Sequence, residues 1–539
     1  MIDTTQFGLP AMSLPVWLMA VAPLAVILFL MLKCKMSGTR AGIISWFMTI
    51  AVAFFFFKAG PDVLSAGTVK GIWSTVFVLL IIWSSMFLYN LVELTGSFKT
   101  IADKFTELTN GNRILQLLIL GWCFPTFIQG ACGFGVPVAV VTPLLIGLGF
   151  EPMLAVVTAL MGHSWCVTFG SLGSSYSVLL QYTPEGAVDP GQLARWGALL
   201  IICGGLVVGL SILHNYRRYA PKDQNVFKEG LPAVFFLWAV MSVALFLTCL
   251  VSPYIGCFVA GAAGMIAGCL VLPKLPMYRS AQKSESKVSN KDFMISFSAY
   301  IILFCIVFAV YLIKPVKAAL EISAFRFGFP FPENAIAFGY GNAAVKKYSA
   351  LKIFTAPGTL IILSSILGAL FYKSKNRLPE GTLKKAWTNT VEQSVGSTTT
   401  IVSMTMMAIL MTEAGLTLYI AYGIASVAGA IYPIIAPFIG LLGGFVTSSG
   451  TSSNILFTSL QYNVANTLGI STCLILGAQT AGSSLSNSFS PGNAALGTGV
   501  SGQSGKEGEI LKTTGVYNIL QNTVVGLVAF LLIKLGFGL

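Results

Sequence analysis

The chain is built from a succession of apolar runs of about 20 residues, separated by short loops that hold most of its charge. A run of that length crosses the hydrocarbon core of a bilayer as a helix. A soluble domain carries about 25% charged residues, whereas only 9% of these 539 residues are charged and the mean hydropathy is +0.82. The expected fold class is therefore an all-α polytopic membrane protein. A net charge of +13 would invite nucleic acid. The basic residues, however, gather in alternate segments, at 33–40, 99–113, 217–228, 274–291, 373–385 and 506–512. That is the positive-inside pattern, and it accounts for the charge without nucleic acid. It places these segments in the cytoplasm and both termini outside a plasma (inner) membrane.

Uninterrupted spans are expected at 16–32, 41–57, 71–94, 196–213, 231–251, 254–272, 293–313, 351–372, 390–411 and 516–535. Two further spans, Pro152–Leu180 and Thr472–Val500, are interrupted by polar and Gly-rich stretches, and they bring the number to about twelve. Ser97–Thr109 sets Phe98, Ile101, Phe105 and Leu108 on one face, with Lys99, Asp103, Lys104 and Glu107 elsewhere, as an interfacial helix does. The loop 314–350 is the longest connection, and its aromatic run Phe325–Tyr340 predicts an ordered outer cap. The ten cysteines have no metal spacing and mostly sit in apolar runs as small hydrophobes.

Two regions break this pattern. Ile114–Phe127 and Val136–Leu148 are short for spans and flank Gln129-Gly130-Ala131-Cys132-Gly133-Phe134-Gly135. They suit the arms of a re-entrant hairpin. A second hairpin is expected over Pro433–Leu468, with Thr447-Ser448-Ser449-Gly450-Thr451-Ser452-Ser453-Asn454 at its turn. Polar backbone at membrane depth is tolerated only where it is buried in protein or lines a wet cavity. Freed N–H groups and hydroxyls there can hold a small anion. Ser, Thr and Gly also enrich helix–helix interfaces, but these stretches are denser and more interrupted than packing requires.

The breaks in the interrupted spans are expected at Gly162-His163-Ser164, at Thr168-Phe169-Gly170-Ser171 and over Ser483–Asn493. Shifting the chain by 320 residues overlays Leu148-Gly149 on Leu468-Gly469, Gly162 on Gly482, Ser164 on Ser484 and Phe169 on Phe489. With hairpins entering from opposite sides, this reads as an inverted repeat, the architecture of secondary transporters. The halves are 1–220 and 291–539, linked by a helix pair and cytoplasmic loop over 221–290.

The run from Phe127 to Pro137, Ile146-Gly147-Leu148-Gly149-Phe150, Thr451-Ser452-Ser453-Asn454 and Gly505-Lys506-Glu507 together resemble the L-lactate permease family over most of the chain. The resemblance implies a secondary carrier of small 2-hydroxy monocarboxylates such as lactate and glycolate, usually coupled to protons. The chain is also similar to the wider ion-transporter superfamily, whose members pair two hairpins with two broken helices. It departs from the family in having Gln129 and Gly450 where acidic residues are common, and no Lys near Asn487.

The substrate-binding residues expected are Gln129, Gly130, Gly133 and Gly135 in the first hairpin and His163, Ser164 and Thr168 in the first broken span. In the second half they are Ser449, Thr451, Ser452, Ser453 and Asn454, then Ser486, Asn487, Ser488, Ser490 and Asn493. Gln129 can offer its amide to a carboxylate. His163 is the one histidine among them and can accept a proton or hold an anion, although a buried neutral histidine is an equal reading. Glu93, Glu392 and Arg326 read as solvated. The hydroxyls of 447–454 and 486–493 would also suit a hard cation, so the coupling ion is a proton or sodium. No cofactor, catalytic residue or metal ligand set is expected, and no nucleotide loop or nucleophile elbow is present. The expected partners are a small organic anion and the lipid bilayer, and a homo-oligomer is allowed. A passive channel or a membrane-embedded enzyme are the remaining alternatives; the latter would need more reactive groups than His163.

Overall fold

The computed structural model describes residues 4–34, 36–133, 135–219, 226–278, 288–322, 325–503 and 506–537. Phe134, Gly505 and the basic residues Lys35, Lys222, Arg279, Lys283 and Lys287 lie outside the described residues. Among those described, 12 helices are long and apolar enough to cross a membrane. The chain is a multi-pass, all-α membrane protein. Large side chains such as Phe54, Phe55, Leu247 and Leu531 point outward and stay exposed, as lipid-facing surface does.

Two of the 12, Arg113–Ala131 and Leu416–Thr447, include stretches expected as hairpin arms, whereas the interrupted spans fall short of the length required. Arg113–Ala131 has 19 residues, longer than the apolar run in the sequence, because Gln129 and Gly130 continue the helix. Pro125 lacks an N–H, and the ladder widens to a π-turn over Ile119–Cys123 just before it.

Two helices extend beyond their apolar stretches, Pro61–Leu94 and Thr382–Glu413. They lie antiparallel. Lys70 pairs with Glu413 at 2.6 Å, Trp83 Nε1 donates to Thr398 Oγ1 at 2.9 Å, and Asn90 Nδ2 donates to Gln393 Oε1 at 3.0 Å. The ion pair joins the two helices where Pro61–Leu94 runs past the start of its apolar stretch and Thr382–Glu413 past the end of its own. Lys70 is buried with its ammonium 5.3 Å from the rings of both Phe331 and Tyr348, so its charge is compensated inside the protein.

The element order repeats at the 320-residue shift. Pro61–Leu94 corresponds to Thr382–Glu413, Ser97–Leu108 to Leu416–Ala428, Pro152–Ser164 to Thr472–Leu485, and Pro190–Tyr219 to Glu507–Lys534.

The cap is ordered. Strand Arg326–Phe331 pairs antiparallel with Val345–Lys352, and Asn334–Ala335 pairs with Gly341–Asn342. The expected span 351–372 starts later, as helix Pro357–Ser374, because its first residues finish this strand and Pro357 opens the helix. Lys104, assigned to the solvated side of the interfacial helix, is buried; its ammonium reaches Glu107 and the carbonyl of Val288. Arg326 is exposed, bonded to the carbonyl of Glu321; Glu93 and Glu392 are exposed too.

Candidate functional site

Four segments meet at one small polar cavity. The first hairpin contributes Gln129 and Gly135; the first broken segment contributes His163, Val167, Ser171 and Ser174. The second hairpin contributes Ser448, Ser449, Gly450 and Thr451, and the second break contributes Asn487. Its volume, about 20 Å³ of space for water centres, holds one or two waters.

The hairpin turns are short. The first runs through Cys132 and Gly133 to Gly135, whose φ of +85° suits glycine and opens helix Val136–Gly147. The second is only Ser448 and Ser449. Ser448 sits in the left-handed region at φ +55°, and Ser449 caps helix Gly450–Leu468 by accepting from the Ser452 N–H. Ser448 Oγ in turn accepts from the Gly492 N–H at 2.9 Å, tying the turn to the second break.

The first break lies between helices Pro152–Ser164 and Ser174–Gln181. Gly162-His163-Ser164, expected as an interruption, is instead the last turn of an intact helix. Gly162 is needed there for close packing, since a Cβ would meet the carbonyl of Gly121; Gly482 stands against Pro437 in the same way. The chain then passes through three successive left-handed residues, Ser171, Leu172 and Gly173. Two of them are not glycine, so the turn is strained. It is held by Ser171 N–H donating to the Gln129 carbonyl at 2.8 Å and Leu172 N–H to that of Gly130 at 3.0 Å. Ser171 Oγ also accepts from Gly133 N–H at 2.8 Å.

The cavity consequently faces the N-termini of three helices: Val136–Gly147 through Gly135, Ser174–Gln181 through Ser174, and Gly450–Leu468 through Ser449, Gly450 and Thr451. The positive ends of three helix dipoles make this an electropositive wall. Two of its lining residues carry acceptors. Gln129 is buried, and its Oε1 has no donor among the described residues. His163 Nδ1 lies 2.9 Å from the Leu160 carbonyl, which can only accept, so Nδ1 carries the proton and Nε2 the lone pair.

Of the residues singled out in the sequence, Gln129, Gly135, His163, Ser449, Thr451 and Asn487 line this cavity. The others surround it. Gly130 packs against the backbone of Phe258, and Gly133 against Gln129 and Ser171. Ser164 and Thr168 bond to Ser484 and Thr480 of the other half. Ser452 gives its N–H to Ser449, Ser453 donates to the Gly440 carbonyl, and Asn454 donates to Ser175 and Thr480 while accepting from Ser483. Ser486, Ser488, Ser490 and Asn493 satisfy carbonyls around the second break. The binding set read from the sequence lacked Val167, Ser171, Ser174, Ser448 and Gly450; for Ser174 the Ser-Ser pair directly after Gly173 was the signal.

The L-lactate permease family profile matches residues 16–536. The L-lactate permease of Salmonella typhi is 26% identical over 544 residues, 95% of each chain. Glycolate permease GlcA of Escherichia coli strain K12 is 27% identical over 579 residues, 98% of each. Among solved structures, the Alcanivorax borkumensis YdaH transporter overlays 85% of each chain at 13% identity, with a TM-score of 0.43. With nearly its whole length matched, the chain belongs to the L-lactate permease family.

Proposed function

We propose that the protein is a secondary active carrier that moves a small 2-hydroxy monocarboxylate, lactate or glycolate, across the plasma membrane together with a proton. The observation that carries this reading is the meeting, in one cavity, of three helix N-termini with His163 and with Gln129, whose Oε1 has no donor among the described residues. The N-termini favour a carboxylate. The acceptors favour a hydroxyl hydrogen beside it. A 2-hydroxy acid supplies both from adjacent carbons. The names of the L-lactate and glycolate permease relatives support the same class. A proton on His163 Nε2 would neutralise the anion's charge for the crossing, since an isolated charge at membrane depth is costly.

The cavity is too small for the substrate, so loading requires the tips to part. An inverted repeat supplies the movement, with each hairpin and broken helix opening toward its own side. The repeating element order and the antiparallel Pro61–Leu94 and Thr382–Glu413 support that arrangement. The hairpins then re-enter from opposite faces and both termini lie outside.

Uptake into proteoliposomes, with labelled acids under imposed gradients, tests the reading. Saturable, concentrative lactate or glycolate uptake is expected when the outside is more acid. No saturable uptake of any 2-hydroxy acid under either a proton or a sodium gradient overturns it. Sodium coupling is favoured by one observation: Asn518 Oδ1, Gln521 Oε1 and Asn522 Oδ1 in the last span are buried and have no donor among the described residues. Accumulation that follows sodium and ignores pH would replace the proton.

A further inference from the structure

The segment 314–352 carries six basic residues and two acidic ones. On the proposed orientation it lies outside, against the general bias of positive charge toward the cytoplasm. Beneath it is a cavity of about 440 Å³, many times larger than the central one. Its wall includes Ser177 and Gln181 from helix Ser174–Gln181, and Lys317, Glu321, Ser349 and Lys352 from the cap segment.

The chemistry of this wall repeats that of the central cavity. Lys352 lies 3.4 Å from Glu321 and neutralises it. Lys317 has no acidic partner among the described residues and leaves the cavity with a surplus positive charge. Gln181 Nε2 is used in bonds to Ser349 Oγ at 2.7 Å and the Ser74 carbonyl at 3.2 Å, while its Oε1 is buried with no donor among the described residues. An ammonium without an acidic partner among the described residues, beside polar side chains, suits a carboxylate with a neighbouring hydroxyl. The two cavities share one short helix. Ser174 faces the central cavity and Gln181 the outer one, seven residues or about 10 Å further along.

We propose that the outer cavity is a second, peripheral binding site for small 2-hydroxy carboxylates, from which substrate passes to the central cavity. The proposal rests on the carrier reading and on the orientation that puts the cap outside. Lys317 holds the carboxylate, and the polar side chains of Ser177 and Gln181 in the wall meet the hydroxyl.

The test is lactate uptake by the full chain in proteoliposomes over a range of salt concentrations. Lys317→Gln should raise KM about three- to fivefold, the scale of an exposed charge interaction, and flatten its dependence on salt. Lys346→Gln, a cap lysine outside the cavity wall, should leave KM near the parent value. Equal effects of the two variants would mean a diffuse field in place of a site and would overturn the proposal, as would an unchanged KM and salt slope for Lys317→Gln. A parent protein that takes up no 2-hydroxy acid refutes the carrier reading instead, a result distinct from either.

Discussion

Ser484 Oγ donates a 2.8 Å hydrogen bond to the carbonyl of Ser164, the residue 320 positions earlier that it matches in the repeated element order. The same hydroxyl accepts from the Thr168 N–H at 3.4 Å. One buried serine thus joins the ends of both broken helices beside the cavity. The bond runs one way, since Ser164 Oγ donates to the Met161 carbonyl instead.

Ser484→Ala should therefore loosen the junction of the halves. It strands the buried Ser164 carbonyl and Thr168 N–H, at a cost of about 1–3 kcal/mol. The melting temperature in detergent should fall, and Ser484→Thr, which keeps the hydroxyl, should recover part of the loss. An Ala variant as stable as the parent contradicts this.

The pair Lys70–Glu413 makes a second prediction. Removing one partner leaves a buried, uncompensated charge, and Lys70→Met should cost about 3–5 kcal/mol. Combining it with Glu413→Gln should restore much of the stability. A double variant no better than Lys70→Met alone would show that the two residues do not act as a pair.

The span order and the two polar regions were legible because hydropathy, loop charge and Gly-rich interruption are local signals. The Lys70–Glu413 pair was not, since its partners are 343 residues apart and each reads singly as a helix end. Composition also marked 447–454 as polar without saying where each side chain points. Thr451 faces the cavity, whereas Asn454, three residues on, turns to Ser175 and Thr480. Likewise Gly162 reads as a helix breaker, yet its use is the close approach of Gly121. The true break at 171–173 depends on carbonyls supplied by a different segment, at Gln129 and Gly130.

Gln129 should govern the choice between hydroxy and deoxy acids. Its Oε1 is a buried acceptor without a donor among the described residues, while its backbone carbonyl holds Ser171 and survives substitution. In Gln129→Leu, the preference for lactate over propionate should fall about fivefold, the worth of one neutral hydrogen bond. Competition against labelled lactate measures it. An unchanged ratio, with uptake intact, assigns the hydroxyl to another group.

His163 should carry the coupling proton. The chain has Gln129 and Gly450 at the cavity, so no carboxylate there can titrate. His163 is the one cavity-lining group whose side-chain class changes charge near neutrality. With Nδ1–H committed to the Leu160 carbonyl, a proton arriving at Nε2 creates a cation beside the bound carboxylate, and its departure returns a neutral ring. Transport of the acid with this proton is electroneutral. His163→Gln keeps a polar side chain but cannot change charge. It should abolish accumulation driven by a pH gradient, while exchange of labelled for unlabelled lactate remains measurable because exchange needs no net proton movement. Accumulation by His163→Gln at the parent level in a pH gradient alone would remove the histidine from the coupling step. Loss of exchange and accumulation together, with the protein folded, would place it in substrate binding instead.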